Sequence, residues 1–260
     1  MTQCANGRRR RAGRLAAAML LAPALAPAAE VEPITPYRPT VSNPAQLPAV
    51  GQLELELGGQ QANGGGARRG TVPYDLKLAF SPEWGVLVSG DAHVWLRGDG
   101  DHASGVGDTN VVLKRAWLES EGNAFGLELN IKLPTANDLI GSGKTDYTVN
   151  TIWSHDIGPV HMDTNLNATR LGAFDAGTSR TQIGGAASFS TPLSEQWGIV
   201  GELSGTRRSG ADSTVQLLGA FTYSPTKLLT FDIGVSRSPH PTPVTTAVFA
   251  GVVFPLAKLW

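Results

Sequence analysis

Residues 132–147 read KLPTANDLIGSGKTDY, and GSGKT (141–145) carries the glycine, lysine and hydroxyl order used by phosphate-binding loops. That chemistry needs G-x-x-x-x-G-K-[ST] between a buried strand and a helix, so that backbone N–H groups cradle a phosphate and the lysine reaches it. Gly143 and Lys144 fit, but the position of the leading glycine holds Asp138, whose carboxylate repels phosphate. The chain continues as TDYTVNTIW (145–153), with Tyr147, Val149, Thr151 and Trp153 on one face. That is a strand where a phosphate loop requires a helix. Lys144 is therefore read as a charge on the rim of a loop, a candidate for a constriction. A second cluster, SHDIGPVHMD (154–163), has metal-ligand residue types, but strand parity turns His155 away from His161 and Asp163. The aspartates of GDGDHASGVGD (98–108) lack EF-hand spacing and read as a solvated loop. No catalytic residue, metal or cofactor is expected.

The elements that carry these residues have a period of two. FGLELNIKL (125–133) places Phe125, Leu127, Leu129, Ile131 and Leu133 on one face and Glu128, Asn130 and Lys132 on the other. Such alternation makes half-buried strands. Twelve runs of this kind are found: 50–58, 73–80, 85–97, 108–118, 124–133, 145–155, 160–171, 180–190, 197–207, 214–223, 228–237 and 245–256. Most have the length of a tilted strand that crosses a bilayer, and their connections alternate between short turns and longer glycine-rich loops. Phe80, Trp84, Trp117, Phe125, Trp153, Phe189, Trp197 and Tyr223 all lie beside the short turns, where a girdle of rings suits a membrane interface. The pattern predicts an all-β fold: a transmembrane antiparallel up-and-down β-barrel of about twelve strands over 49–260. Its short turns are expected on the periplasmic side and its longer loops outside.

If the apolar face meets lipid, the other face lines the lumen. Parity puts Glu54, Lys77, Asp91, His93, Arg97, Lys114, Glu128, Lys132 and Asp146 there, with Glu56, Asp75, Trp95, Asp163, Glu202 and Asp232. Hairpin geometry pairs Glu54 with Lys77, Lys114 with Glu128 and Lys132 with Asp146, and it also sets Arg97 against Asp108 and Asp91 against Lys114. Opposite charges across a strand pair contribute roughly 0.2–1 kcal/mol each. The lumen then has two readings: a narrow channel for small solutes, or a structural or partner-binding barrel whose interior is filled.

Residues 1–29 combine RRRRAGR, a short apolar run and small residues up to Ala29, the layout of a cleaved signal peptide. Cys4 lies before that run. Without the five arginines of this segment, 16 basic residues face 22 acidic ones, which disfavours a nucleic-acid partner. Residues 30–48 carry five prolines and read as an extended periplasmic lead-in, with a plug inside the barrel as the open alternative. The expected location is the outer membrane of a Gram-negative bacterium. Expected partners are the lipid bilayer, small-molecule solutes and the barrel-assembly machinery during insertion, for which the terminal Trp260 is a suitable signal.

Four stretches together resemble a family of bacterial outer-membrane proteins described as channels or transporters of the meta-cleavage phenol-degradation pathway. They are PYRPTVSNPAQLPAVGQLELELGG (36–59), GVGDTNVVLKRAW (105–117), GLELNIKLPTANDLIGSGKTDY (126–147) and GPVHMDTNLNATRLG (158–172). The resemblance implies an outer-membrane barrel and passage of aromatic or other hydrophobic compounds. It carries over no catalytic residues.

Overall fold

A computed structural model describes residues 31–98, 102–120 and 122–260; the expected signal peptide, and Asp99 and Asp101 of the acidic loop, lie outside them. Among the described residues thirteen strands form, in chain order: β1 (Gln52–Gly64), β2 (Ala67–Ala79), β3 (Trp84–Arg97), β4 (His102–Gly105), β5 (Thr109–Ser120), β6 (Asn123–Leu133) and β7 (Asp146–Ile157), followed by β8 (Val160–Arg170), β9 (Thr181–Pro192), β10 (Trp197–Arg208), β11 (Thr214–Thr226), β12 (Leu229–His240) and β13 (Thr245–Lys258). Each pairs antiparallel with its neighbour in sequence, except that β5 pairs with the lower half of β3 while β4 covers the upper half. The pairing of β1 with β13 closes the ring. The fold is a twelve-stranded barrel of the transmembrane kind, with β4 as an added strand. Closure pairs each of the twelve long strands on both sides, as an apolar surrounding requires, and only the short β4 has a partner on one side alone.

All twelve expected strands form. The first hairpin differs from expectation: GGQQANGGGARRG (58–70) is not a long loop, because β1 and β2 continue to a tight turn at Gly65 and Gly66. Both glycines have positive φ, 58° and 81°, a conformation that side chains resist. The chain's end folds back in the same way. Gly51, at φ 76°, sits under Trp260 so closely that a Cβ there would meet its carbonyl oxygen at 2.6 Å.

The outer face is apolar. Leu129, Leu166, Leu203, Ile233 and Val248, from five different strands, are 47–62% exposed. The inner face inverts this pattern, and Glu54, Lys77 and Lys114 are fully buried. Rings mark the short-turn rim: Phe125 stacks on Trp153 at 6.4 Å, and Trp197 meets Tyr223 at 4.7 Å. Arg115 faces outward among them, its guanidinium 5.2 Å from the Trp84 ring and 4.6 Å from Trp117, paired with Glu83 at 3.1 Å.

Candidate functional site: the barrel interior

The interior is built around residues 31–50. Their five prolines lack the N–H that a sheet ladder needs, so this stretch cannot join the wall as a strand. It is extended, as its composition predicts, but it does not lie outside the barrel as a periplasmic lead-in. It runs through the lumen, and many of its N–H groups are taken up by wall side chains, while Ile34 donates to the Lys227 carbonyl at 3.0 Å. Thr35 donates to Glu54 at 3.2 Å, and Tyr37 and Arg38 donate to the two oxygens of Glu56 at 2.6 and 2.9 Å. Val41 and Ser42 donate to the two oxygens of Glu202 at 3.0 and 2.8 Å. Asn43 donates to Asn165 at 3.1 Å and Ala45 to Ser154 at 2.8 Å. A carboxylate that accepts two consecutive backbone N–H groups forms charge-assisted bonds, about twice as strong as neutral ones.

Wall lysines grip the carbonyls. Lys77 donates to Thr35 and Lys114 to Pro44. Both ammonium groups also lie against the Tyr37 ring, 4.1 and 4.2 Å from its centroid, so the phenol face is held between two cations. The Tyr37 hydroxyl donates to the Gln46 carbonyl at 2.7 Å, folding the segment onto itself. On the far wall Arg38 makes a fork onto Asp232, with Nε at 2.9 Å and an Nη at 3.0 Å. Gly58 and Gly251 make room for it: a Cβ on either would strike the guanidinium.

Three of the expected ion pairs form. Lys77 lies 3.1 Å from Glu54 and 2.6 Å from Glu56, and Lys114 lies 3.2 Å from Glu128. Lys132 sits between Asp146 at 2.7 Å and Asp108 at 3.3 Å. Neighbouring strands share one register along their whole length unless a bulge intervenes, which is why these pairs can be read from spacing.

Register fails as a guide in upper β3. There Pro73 faces Asp91 and Val72 faces His93, so Ala92 is an extra, bulged residue. The bulge reverses parity: Val94 is buried inward, and His93, Trp95 and Arg97 turn to the outer face. His93 packs against Trp95, ring centroids 4.4 Å apart. His93 and Arg97 are therefore not lumen residues. Asp91 stays inside but pairs with Arg69 at 3.4 Å rather than Lys114, whose β3 partner is Gly85. Asp108 pairs with Lys132, not Arg97. His161 and Asp163 face inward as parity requires, 3.2 Å apart, and His155 stacks outward on Trp153. Lys144 is exposed on the β6–β7 loop, and Ser142 of that loop accepts a bond from Lys132 at 2.7 Å.

Parity also puts uncharged residues inside, and beyond Asn130 a reading focused on charge leaves them out. Asn130, Thr148, Thr169 and Gln182 form one row of register partners across β6–β9. Asn110 and Asn130 are bonded at 3.1 Å and Thr148 and Thr169 at 2.8 Å, while the carbonyl oxygens of Asn130 and Asn150 are buried without a partner. None of the hydrogen bonds of residues 31–50 reaches this row. Two cavities flank the segment's region. One of about 600 Å³ lies between residues 34–50 and the β8–β10 wall near the short turns. The other, about 580 Å³ at the long-loop mouth, has Ala62, Leu96, Ala103 and Leu139 in its lining. The loop that holds GSGKT thus reaches over the mouth through Leu139.

This architecture is that of known outer-membrane barrels. An outer membrane channel from Pseudomonas putida superposes with a TM-score of 0.62 at 13% identity, over 82% of this chain and 98% of that one. The NanC porin gives 0.59 at 10% identity, over 78% and 100% of the two chains. The KdgM porin gives 0.55 at 11% identity, over 78% and 99%. At these identities the fold is what is shared. No family model matches the sequence, and no curated protein does.

Proposed function

We propose that this chain is a Gram-negative outer-membrane channel for passive passage of small solutes, with residues 31–50 as its constriction. The observation that carries the reading is the inversion of the wall, apolar outside and polar inside around a closed ring, with one segment of the chain threaded through the interior. Export follows from residues 1–29 as a cleaved signal peptide, and insertion from the barrel-assembly machinery. The short turns face the periplasm and the long loops face outward, as in barrels of this kind. Fixed charges of both signs line the path at the segment, and amides and hydroxyls line it beyond. Lys144, Lys132 and Arg69 are cations of the outer mouth among the described residues.

Aromatic or other hydrophobic solutes are the finer reading. The cavity at the mouth supports it, since Ala62, Leu96, Ala103 and Leu139 offer such a solute an apolar surface, although Arg68, Arg69, Arg97 and His102 also line it. Past that point the buried charges around Tyr37 interrupt an apolar route, so a solute must cross a polar zone. The grip on residues 31–50 also favours a second reading, a barrel closed by its own segment.

Single-channel recording in planar bilayers separates the two. The chain beginning at residue 30 is expected to give small steps, and deletion of residues 31–48 to enlarge them several-fold. Absence of steps from both forms defeats the channel reading. Steps from the deletion alone establish the closed barrel.

A further inference from the structure

On several strands the outward face runs through apolar residues and then, at the long-loop end, stops at an arginine. On β8 the order is Leu166, Ala168, Arg170; on β10 it is Leu203, Gly205, Arg207; on β12 it is Ile233, Val235, Arg237. The bulge in β3 adds Arg97 after Trp95, and β2 contributes Arg68. All five are exposed, and no ion pair among the described residues includes any of them. By contrast, Arg38 and Arg69 inside the barrel each have an aspartate.

Two features make this an arrangement in want of an anion. Arg68 and Arg97 are direct register partners, with His102 of β4 next in the row. Like charges opposed across a strand pair repel, and an anion between them removes that cost. Arg170, Arg207 and Arg237 stand on alternate strands, about 10 Å apart in the pairing direction and offset in register, Arg207 level with Ala168 and Arg237 level with Leu203. Every cation in this outward ring is an arginine, whose planar fork matches phosphate with two parallel hydrogen bonds, and none is a lysine. The depth fixes the source of the phosphate. The ring begins one residue past the apolar belt, where lipid headgroups lie, so the ligand is carried by the lipid itself.

We infer that these arginines form a collar that binds the phosphate groups of anionic lipids in the leaflet at the long-loop rim. The inference rests on the membrane reading above, and the test keeps the two apart. The folded chain is inserted into phosphatidylcholine vesicles containing bisphosphorylated lipid A or the same lipid with its phosphates removed, and retained lipid is counted by native mass spectrometry. The phosphorylated form should be retained selectively. Combined Arg170→Gln, Arg207→Gln and Arg237→Gln should weaken retention roughly 100-fold, from about one tenfold step or less per cation. Arg→Lys at the same positions should restore part of it, and Arg115→Gln at the other rim should change nothing. Equal retention of the dephosphorylated lipid, or a triple variant that binds as before, overturns the collar. Displacement of lipid A by millimolar inorganic phosphate reassigns the site to the free ion and overturns it as well. Failure of the chain to insert into any vesicle overturns the membrane reading and the collar together.

Discussion

The two halves of this barrel, one beside the short turns and one beside the long loops, use the same alternating strands for opposite arrangements of charge. In the short-turn half, charge is inside and buried: Glu54, Glu56, Lys77, Lys114 and Glu202 hold residues 31–50, and the outer rim is aromatic. In the long-loop half, amides and hydroxyls share the interior with the Lys132 cluster, whose side chains are 12–20% exposed, and with the Arg69–Asp91 pair, and the outer rim ends in arginines. Burial sets the difference. A charge taken from water must be matched by an opposite charge and by further hydrogen bonds. The short-turn half meets that demand by drawing in the chain's own backbone as ligand. In the other half, water and lipid headgroups are available to do the same.

The comparison breaks most sharply at Lys77. Its ammonium is wholly buried and compensates both Glu54 and Glu56. Lys77→Met should destabilise the barrel by about 3–5 kcal/mol, the cost of leaving buried charge unmatched. Lys132→Met, in the more exposed cluster, should cost about 1 kcal/mol or less. Urea unfolding from lipid vesicles measures both. Equal losses would mean that the two halves do not differ in burial as described.

A smaller effect is expected at Glu202, which anchors the segment but not the wall. Glu202→Gln keeps the shape of the carboxylate but removes its charge and turns one accepting oxygen into an NH2 donor, so only one of the Val41 and Ser42 N–H groups keeps its bond, now a neutral one. With charged hydrogen bonds stronger by about 1–1.5 kcal/mol, the released fraction of the segment should rise roughly tenfold. Protease cleavage within residues 31–48 and the frequency of enlarged conductance steps both report that fraction. An unchanged cleavage rate would show that the segment is held elsewhere, with Arg38 on Asp232 the next anchor to remove.

How much of this was legible depends on how far apart the partners lie in sequence. The ring of twelve strands and the pairs Lys77–Glu54, Lys114–Glu128 and Lys132–Asp146 were readable because strands adjacent in sequence transmit register locally. The reversal of His93, Trp95 and Arg97 was not, because one bulged residue, Ala92, flips every side chain after it without breaking the alternation of residue types. Proline content showed that residues 30–48 are extended and left their place open. Their partners, Glu202 and Asp232, lie 160 and 194 residues away, beyond any local rule. Of the outward arginines, Arg97 was hidden by the same bulge and Arg68 by the expected first loop, whereas the outward parity of Arg170, Arg207 and Arg237 follows the alternation of their own strands.

The smallest expected effect sharpens the comparison at the outer mouth. Lys132 balances Asp108 and Asp146, so Lys132→Gln leaves two carboxylates facing the path. Cations should then be favoured. The reversal potential across a salt gradient should move in the cation-selective direction, and more at low salt, because these groups are only partly shielded from mobile ions. Lys144 lies exposed on the loop above, where water screens it further, so Lys144→Gln should shift the potential the same way and by less. If Lys144 proves the stronger of the two, the selecting charge sits on the loop that contains GSGKT, and the long-loop half filters at its lid instead of its wall.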